Sequence, residues 1–206
     1  MSKIKNILFD LGAVIYDIDF NRALNSFEQI GIPNPQNIYG KMNQNPIFDQ
    51  FDRGECSSHQ FIDFIKSFAT KPLDAVEVAK AWNNLLIGIP VERITLLEKM
   101  KKKHNTFLLS NNNALHYAEI MNYMNLNHPG VDLNALFHDT FYSHLIGSRK
   151  PEQKAFDIMI EKTGILPIET IFLDDSPQHL ETAKKMGFNC IHITPEVTVF
   201  DALRDF

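Results

Sequence analysis

Residues 4–10 read Ile-Lys-Asn-Ile-Leu-Phe-Asp, and a glycine, Gly12, stands two places on. A short β-prone apolar run that ends on a carboxylate and breaks at a glycine predicts a buried strand opening into a tight turn. Similar runs recur at 106–110 (TFLLS), 170–174 (TIFLD) and 189–193 (NCIHI), with a shorter candidate at 140–143. Apolar spacing between them predicts helices over 91–103, 113–126, 151–163 and 177–186. The first of these ends on Lys101, Lys102, Lys103 and His104, cations that suit the negative end of a helix dipole. Strands alternating with helices require βαβ crossovers and hence a parallel sheet. The expected fold is therefore α/β, a doubly wound parallel sheet built from residues 1–17 and 90–206.

The stretch between those segments has a different character. Residues 18–89 are rich in Phe, Asn and Gln, with helical spacing over 20–31, 58–68 and 75–86 and no convincing strand. An all-helical domain inserted after the first strand is expected. Composition agrees with such a chain. With 206 residues, 44% apolar and 22% charged, it can bury a core without disulfides or structural metal. A net charge of −5 gives no basic face for nucleic acid, and no apolar run approaches the roughly 18 residues of a membrane span. The first ten residues read as a strand and not as a signal peptide. Cys56 and Cys190 stand far apart and make no metal-type pair, which points to a reducing cytoplasm. A monomer is expected, without nucleic-acid or membrane partners.

In an open parallel sheet, ligands bind beyond the carboxyl ends of the strands. Those ends carry Asp10, Ser110 with Asn111, Lys150 in Gly-Ser-Arg-Lys, and Asp174 with Asp175. Taken singly, Ser110, Asn111, Asp175 and Ser176 read as helix-capping residues. Lys150 resists such a reading, because a lysine just before a helix-opening proline stands at the positive end of the dipole. Two adjacent carboxylates at one strand end repel unless a cation lies between them, and a hard divalent ion such as Mg²⁺ answers that need. As a set, these residues fit phosphoryl chemistry. A metal and Lys150 neutralise the group, Ser110 and backbone N–H groups hold its oxygens, and one carboxylate attacks.

The order Asp10-x-Gly12, Ser110-Asn111, Lys150-Pro151 and Asp174-Asp175, each with its flanks, resembles the haloacid dehalogenase (HAD) superfamily over nearly the whole chain. The helical insertion is similar to the C1-type cap of that superfamily. The strings FDLGAVIYDIDFNRAL, FLLSNNNALH, GSRKPEQKAFDIMI and FLDDSPQHLETAKKMG resemble the bacterial branch that contains the α-D-glucose-1-phosphate phosphatases. The resemblance implies a Mg²⁺-dependent phosphatase of a small phosphorylated metabolite. In it, Asp10 would be the nucleophile that forms an aspartyl-phosphate, with Ser110 and Lys150 completing the catalytic set. Substrate would be held by Leu11, Gly12, Ser110, Asn111 and Lys150. Metal would be held by Asp10, Asp174, Asp175 and the backbone carbonyl of Gly12.

One position departs from the commonest pattern: Gly12 stands where most phosphatases of the superfamily carry a second aspartate as general acid and base. Asp17 or Asp19 is a candidate substitute, or the leaving group needs little help, as in a sugar-1-phosphate, or the enzyme is slow. In the insertion, Arg53 reads either as a sugar or phosphate contact or as a surface arginine. Trp82 and Asn83 are candidates for the cleft wall, and His116 for facing the site. The eight histidines form no zinc-type pair. A 2-haloacid dehalogenase shares the nucleophile, but has no use for the Asp174-Asp175 pair. A receiver-type phospho-accepting switch would place its acidic pair first in the chain.

Overall fold

The computed structural model describes residues 3–39 and 45–206; residues 40–44 of the expected insertion and the first two residues lie outside that range. The strand at the start of the chain is β1 (Asn6–Phe9), buried along its whole length. It lies at the centre of a five-stranded sheet with β4 (Asn105–Ser110), β5 (Asp139–Tyr142), β6 (Thr170–Asp174) and β7 (Asn189–His192). The order is β5-β4-β1-β6-β7 and every pairing is parallel. The sheet is thus the expected doubly wound α/β type, and strand order reverses at β1.

Alternation along the strands divides the interior in two. Ile7 and Phe9 of β1, Leu108 of β4, and Ile171 and Leu173 of β6 belong to one hydrophobic cluster. There they meet Ile94, Leu97 and Met100 of α5 (Val91–Lys101) and Ile120 and Met124 of α6 (Ala114–Asn127). Leu8, Leu109 and Phe172 face the other way, onto α8 (Gln153–Thr163) and α9 (Pro177–Lys185). This period of two, buried on both faces, is what a parallel sheet between helical layers requires.

Between β1 and α5 lie α1 (Phe20–Ile30), α2 (Pro46–Asp52), α3 (Ser58–Lys66) and α4 (Ala75–Asn83). They share a third hydrophobic cluster that includes Phe27, Phe48, Phe51, Phe61 and Trp82. Full burial of each phenylalanine contributes about 1.5–3 kcal/mol, which explains the aromatic bias of a segment whose core is packed between helices. The caps follow the sequence: Asp19 for α1, Asn45 ahead of Pro46 for α2, and capping boxes at Ser57 and Asp74.

Two local expectations fail. Residues 86–88 are strand β3 (Leu86–Gly88), antiparallel to β2 (Asp17–Ile18), so the two chain passages into and out of the helical segment form one ribbon. A three-residue strand carries too few side chains for a period to show. The helix expected to reach residue 86 therefore ends at Asn83. Residues 46–52, which lie outside the expected helical stretches, form a helix opened by Pro46 at its first position. Two short helices, α7 (Ser143–Ile146) and α10 (Val199–Ala202), complete the chain.

Candidate active site

Phe9 and Leu173 are register partners, so Asp10 and Asp174 emerge side by side from the carboxyl ends of β1 and β6. Ser110 ends β4, the other neighbour of β1. Lys150 follows β5 through α7, and its fully buried ammonium lies 2.8 Å from Asp10 Oδ1 and 2.6 Å from Asp174 Oδ2. The Asn111 side chain fixes the Lys150 backbone: its Nδ2 donates to the Lys150 carbonyl and its Oδ1 accepts from the Lys150 N–H, both at 2.8 Å. Lys150 stands three residues ahead of α8, which starts at Gln153 behind Glu152, so the repulsion expected from the helix's positive end does not decide its charge. The two carboxylates hold the cation instead.

The helix-capping hydrogen bonds fall to residues other than Ser110, Asn111, Asp175 and Ser176. Asn113 caps α6 by accepting from the His116 N–H, which leaves Ser110 and Asn111 outside that task. The hydroxyl of buried Ser110 has only a 3.4 Å contact to the Asn111 carbonyl. Asp174, and neither Asp175 nor Ser176, receives the first N–H ahead of α9, from Ser176 at 2.8 Å. The turn after β1 is closed by Val14, Ile15 and Tyr16, whose N–H groups all donate to the Leu11 carbonyl. Gly12 sits inside that turn, and a Cβ there would stand 3.2 Å from Ile18 Cδ1.

Electrostatics separate the carboxyls. Burial, aided by Asp174, pushes Asp10 up to about 7 despite the pull of Lys150. Burial also works against Asp174, but Lys150 and His179 outweigh it and hold that carboxyl at about 2. The His179 ring nitrogen Nδ1 is 3.0 Å from Asp174 Oδ1. Burial and then Asp174 raise Asp175. Oxygens of Asp10, Asp174 and Asp175 all lie within 4.8 Å of one another. Three hard oxygen donors, two of them reluctant to ionise together, suit a small divalent cation.

A cleft of about 840 Å³ opens above this group. It is lined by Asp10, Leu11, Gly12, Ser110, Asn111 and Asp175 from the sheet edge, and by Trp82 and His116. His116 stacks on Trp82 at 4.6 Å between centroids, and burial lowers its pKa to about 4. Trp82 serves both the wall and the packing of the helical segment. Asn83 is not part of the lining. Asp17 and Asp19 do not substitute for the missing acid. Asp17 pairs with Arg93 at 2.6 Å, Asp19 caps α1 by accepting from Asn21 at 2.9 Å, and neither lines the cleft. Arg53 also turns away, to an ion pair with Glu152. The arginine that does line the cleft is Arg149, paired with Asp49 and 3.5 Å from Asp52, which lines it too. Adjacency to Lys150 was the one sequence signal for Arg149, and nothing in the sequence singled out Asp52 from its charged neighbours.

A parallel α/β sheet that gathers three carboxylates, a buried lysine and a hydroxyl on its carboxyl edge, at the point where strand order reverses, defines a hydrolase of the aspartate-centred α/β class. The haloacid dehalogenase-like hydrolase family matches residues 4–187, and the chain belongs to it. A D-ribitol-5-phosphate phosphatase from Bacteroides thetaiotaomicron is 28% identical over 188 residues, 90% of this chain and 89% of that protein. A HAD family enzyme from Bacteroides thetaiotaomicron, solved as its magnesium complex, has a TM-score of 0.90 at 28% identity, covering all of both chains. A structure of that enzyme with magnesium and inorganic phosphate gives a TM-score of 0.82 at 31% identity, over 93% of this chain and 94% of the other. The L-2-haloacid dehalogenase of Xanthobacter autotrophicus, at 14% identity and a TM-score of 0.57 over 98% and 84%, shares the fold.

Proposed function

We propose that this hydrolase is a Mg²⁺-dependent phosphatase of a sugar or polyol monophosphate, working through an aspartyl-phosphate. The observation that carries the reading is Lys150, fully buried between Asp10 and Asp174 with Asp175 beside them. In such an arrangement Lys150 offsets part of the burial that raises the nucleophile, a bound divalent cation would offset more, and the open side is left to an anionic group. Asp10 attacks phosphorus, the P–O bond to the alcohol breaks, and water then cleaves the acyl phosphate. Lys150 steadies the nucleophile and a phosphoryl oxygen. The Ser110 hydroxyl, with no strong partner of its own, donates to another, and backbone N–H groups at Leu11, Gly12 and Asn111 complete the cradle. Asp10, Asp174, Asp175 and the Gly12 carbonyl would hold Mg²⁺, which supplies charge neutralisation at the phosphoryl oxygens.

Gly12 offers no proton, so turnover depends on the acidity of the leaving alcohol more steeply than with an acid there. Residues 18–89 act as a C1-type cap on the core of residues 1–17 and 90–206, shielding the cleft from water. The substrate class draws support from the D-ribitol-5-phosphate phosphatase relative; the finer likeness to glucose-1-phosphate phosphatases rests on the sequence strings. A dehalogenase is disfavoured by the paired carboxylates, which serve a metal that halide release does not need. We read the protein as a cytoplasmic monomer.

The test is inorganic phosphate release from a panel of sugar, polyol and nucleoside phosphates. Turnover is expected with Mg²⁺ and lost on chelation, and Asp10→Asn is expected to lower kcat by about 10⁴ or more while the protein stays folded. Undiminished turnover by that variant, or halide release without metal, would refute the reading.

A further inference from the structure

The cleft holds a second polar group that the phosphoryl chemistry does not use. Asp52, at the end of α2, lines it together with Arg149, Asn113 and Tyr39. The Asp52 side chain is only 16% exposed, yet its contacts are thin. Asn113 Nδ2 stands 3.4 Å from Oδ1, and Arg149 Nε stands 3.5 Å from Oδ2. Charge-assisted hydrogen bonds are normally about 2.7–2.9 Å long. Arg149 is no better served at that end: its Nε is buried without a hydrogen-bond partner, while Nη1 is taken by Asp49. Burial pushes the Asp52 carboxyl up to about 6, against the pull of Arg149 and Asn113. A carboxylate and a guanidinium removed from water, facing one cleft and short of partners, are groups with capacity left for a ligand.

The rest of the lining says which ligand. Asp10, Asp175 and Glu181 are its other carboxyls, and Arg149, already engaged by Asp49, is its arginine. Among the described lining residues, a second anionic group on the substrate would meet an excess of carboxyls, with the charge of Arg149 already balanced by Asp49. Ile18, Phe20, Leu24 and Leu86 give the same cleft an apolar wall. We propose that Asp52 and Arg149 form a hydroxyl-recognition subsite that selects an uncharged, polyhydroxylated leaving group, an alditol or sugar, and rejects substrates with a second anion. Hydroxyls donate to the Asp52 carboxylate and accept from the Arg149 guanidinium, while the carbon skeleton lies on the apolar wall. This assignment rests on the phosphatase reading above, and it predicts that recognition and phosphoryl transfer are separable.

Asp52→Asn keeps the side chain's size and removes its charge. It is assayed with D-ribitol-5-phosphate and with n-pentyl phosphate, which has an alkyl leaving group and no hydroxyls. The ratio of kcat/KM for the first to the second is expected to fall about tenfold or more, chiefly through KM, as for lost hydrogen bonds to a charged group. An unchanged ratio overturns the proposal. So does an equal loss on both esters, which would place Asp52 at the reacting oxygen or in the fold alone. Trp82, the single tryptophan, lines the same cleft and reports binding without turnover. With Mg²⁺ chelated, D-ribitol-5-phosphate is expected to change its fluorescence saturably, with about tenfold weaker affinity in Asp52→Asn and in Arg149→Gln. Affinity indifferent to both substitutions, or no saturable change, counts against the subsite. If the unsubstituted protein hydrolyses neither ester but binds in an Asp52-dependent way, the phosphatase reading fails and the subsite stands.

Discussion

At the scale of single residues, the site is a problem of burying charge. Lys150 is tolerated at zero exposure because two carboxylates lie within 2.8 Å, and burial alone would lower its pKa. His116 shows the opposite solution: it stays neutral. Its Nδ1 lies 3.1 Å from Asn113 Nδ2 and its Nε2 lies 3.4 Å from the Trp82 carbonyl, so a ring protonated on Nε2 alone satisfies both. Its folded pKa, about 4, lies below the ordinary value of 6.5. Between those values the unfolded chain binds the proton and the folded one does not. Stability should therefore fall as pH drops from 6.5 toward 4, by up to about 3 kcal/mol. Urea unfolding at a series of pH values is expected to show this slope in the native protein and to lose that part of it in His116→Gln.

Among elements, the contact of α2 with α7 is held tightly at a glycine. Gly54, just past α2, has φ +70, and a Cβ there would stand 2.4 Å from the His144 carbonyl oxygen of α7. A backbone atom at that distance cannot swing aside as a side chain can. Gly54→Ala combines left-handed strain with this clash, so a loss of about 2 kcal/mol or more is expected in urea melts. Asp52 is carried two residues before Gly54, so the same variant should raise KM for a hydroxylated substrate. Loss of stability with unchanged KM would show that the α2–α7 contact does not set the cleft. The β2–β3 ribbon belongs to this scale too: Gly12 bridges to Tyr16 just before it, so the turn after β1 and the entry to the helical segment are one continuous structure.

Across the whole molecule, besides the 3.5 Å contact of Arg149 with Asp52, ion pairs of Arg53 with Glu152 and of Arg149 with Asp49 join the helical segment to the sheet core. All four side chains are partly exposed, so each pair contributes modestly. A double-mutant cycle on Arg53→Ala and Glu152→Ala should give a coupling of about 0.2–1 kcal/mol. It should fade near 1 M salt, where screening acts within about 3 Å. Coupling unaffected by salt would mean that the aliphatic stems, and not the charges, make the contact.

The amino-acid sequence alone was enough for the sheet and for the polar residues at its strand ends. Period-two burial, glycine and proline punctuation and strand-terminal carboxylates are local patterns, and they place Asp10, Ser110, Lys150 and Asp174 on one edge. Tertiary structure decided which charged residue faces which. It turned Arg53 outward to Glu152 and Arg149 inward to the cleft, tied Asp17 to Arg93, and set Asp52 against Asn113, 61 residues away. The three-residue strand β3 likewise exists only through its pairing with β2. The physical reason is range: burial periodicity is written along a few consecutive side chains, whereas the partner of a long charged side chain depends on how helices and sheet pack.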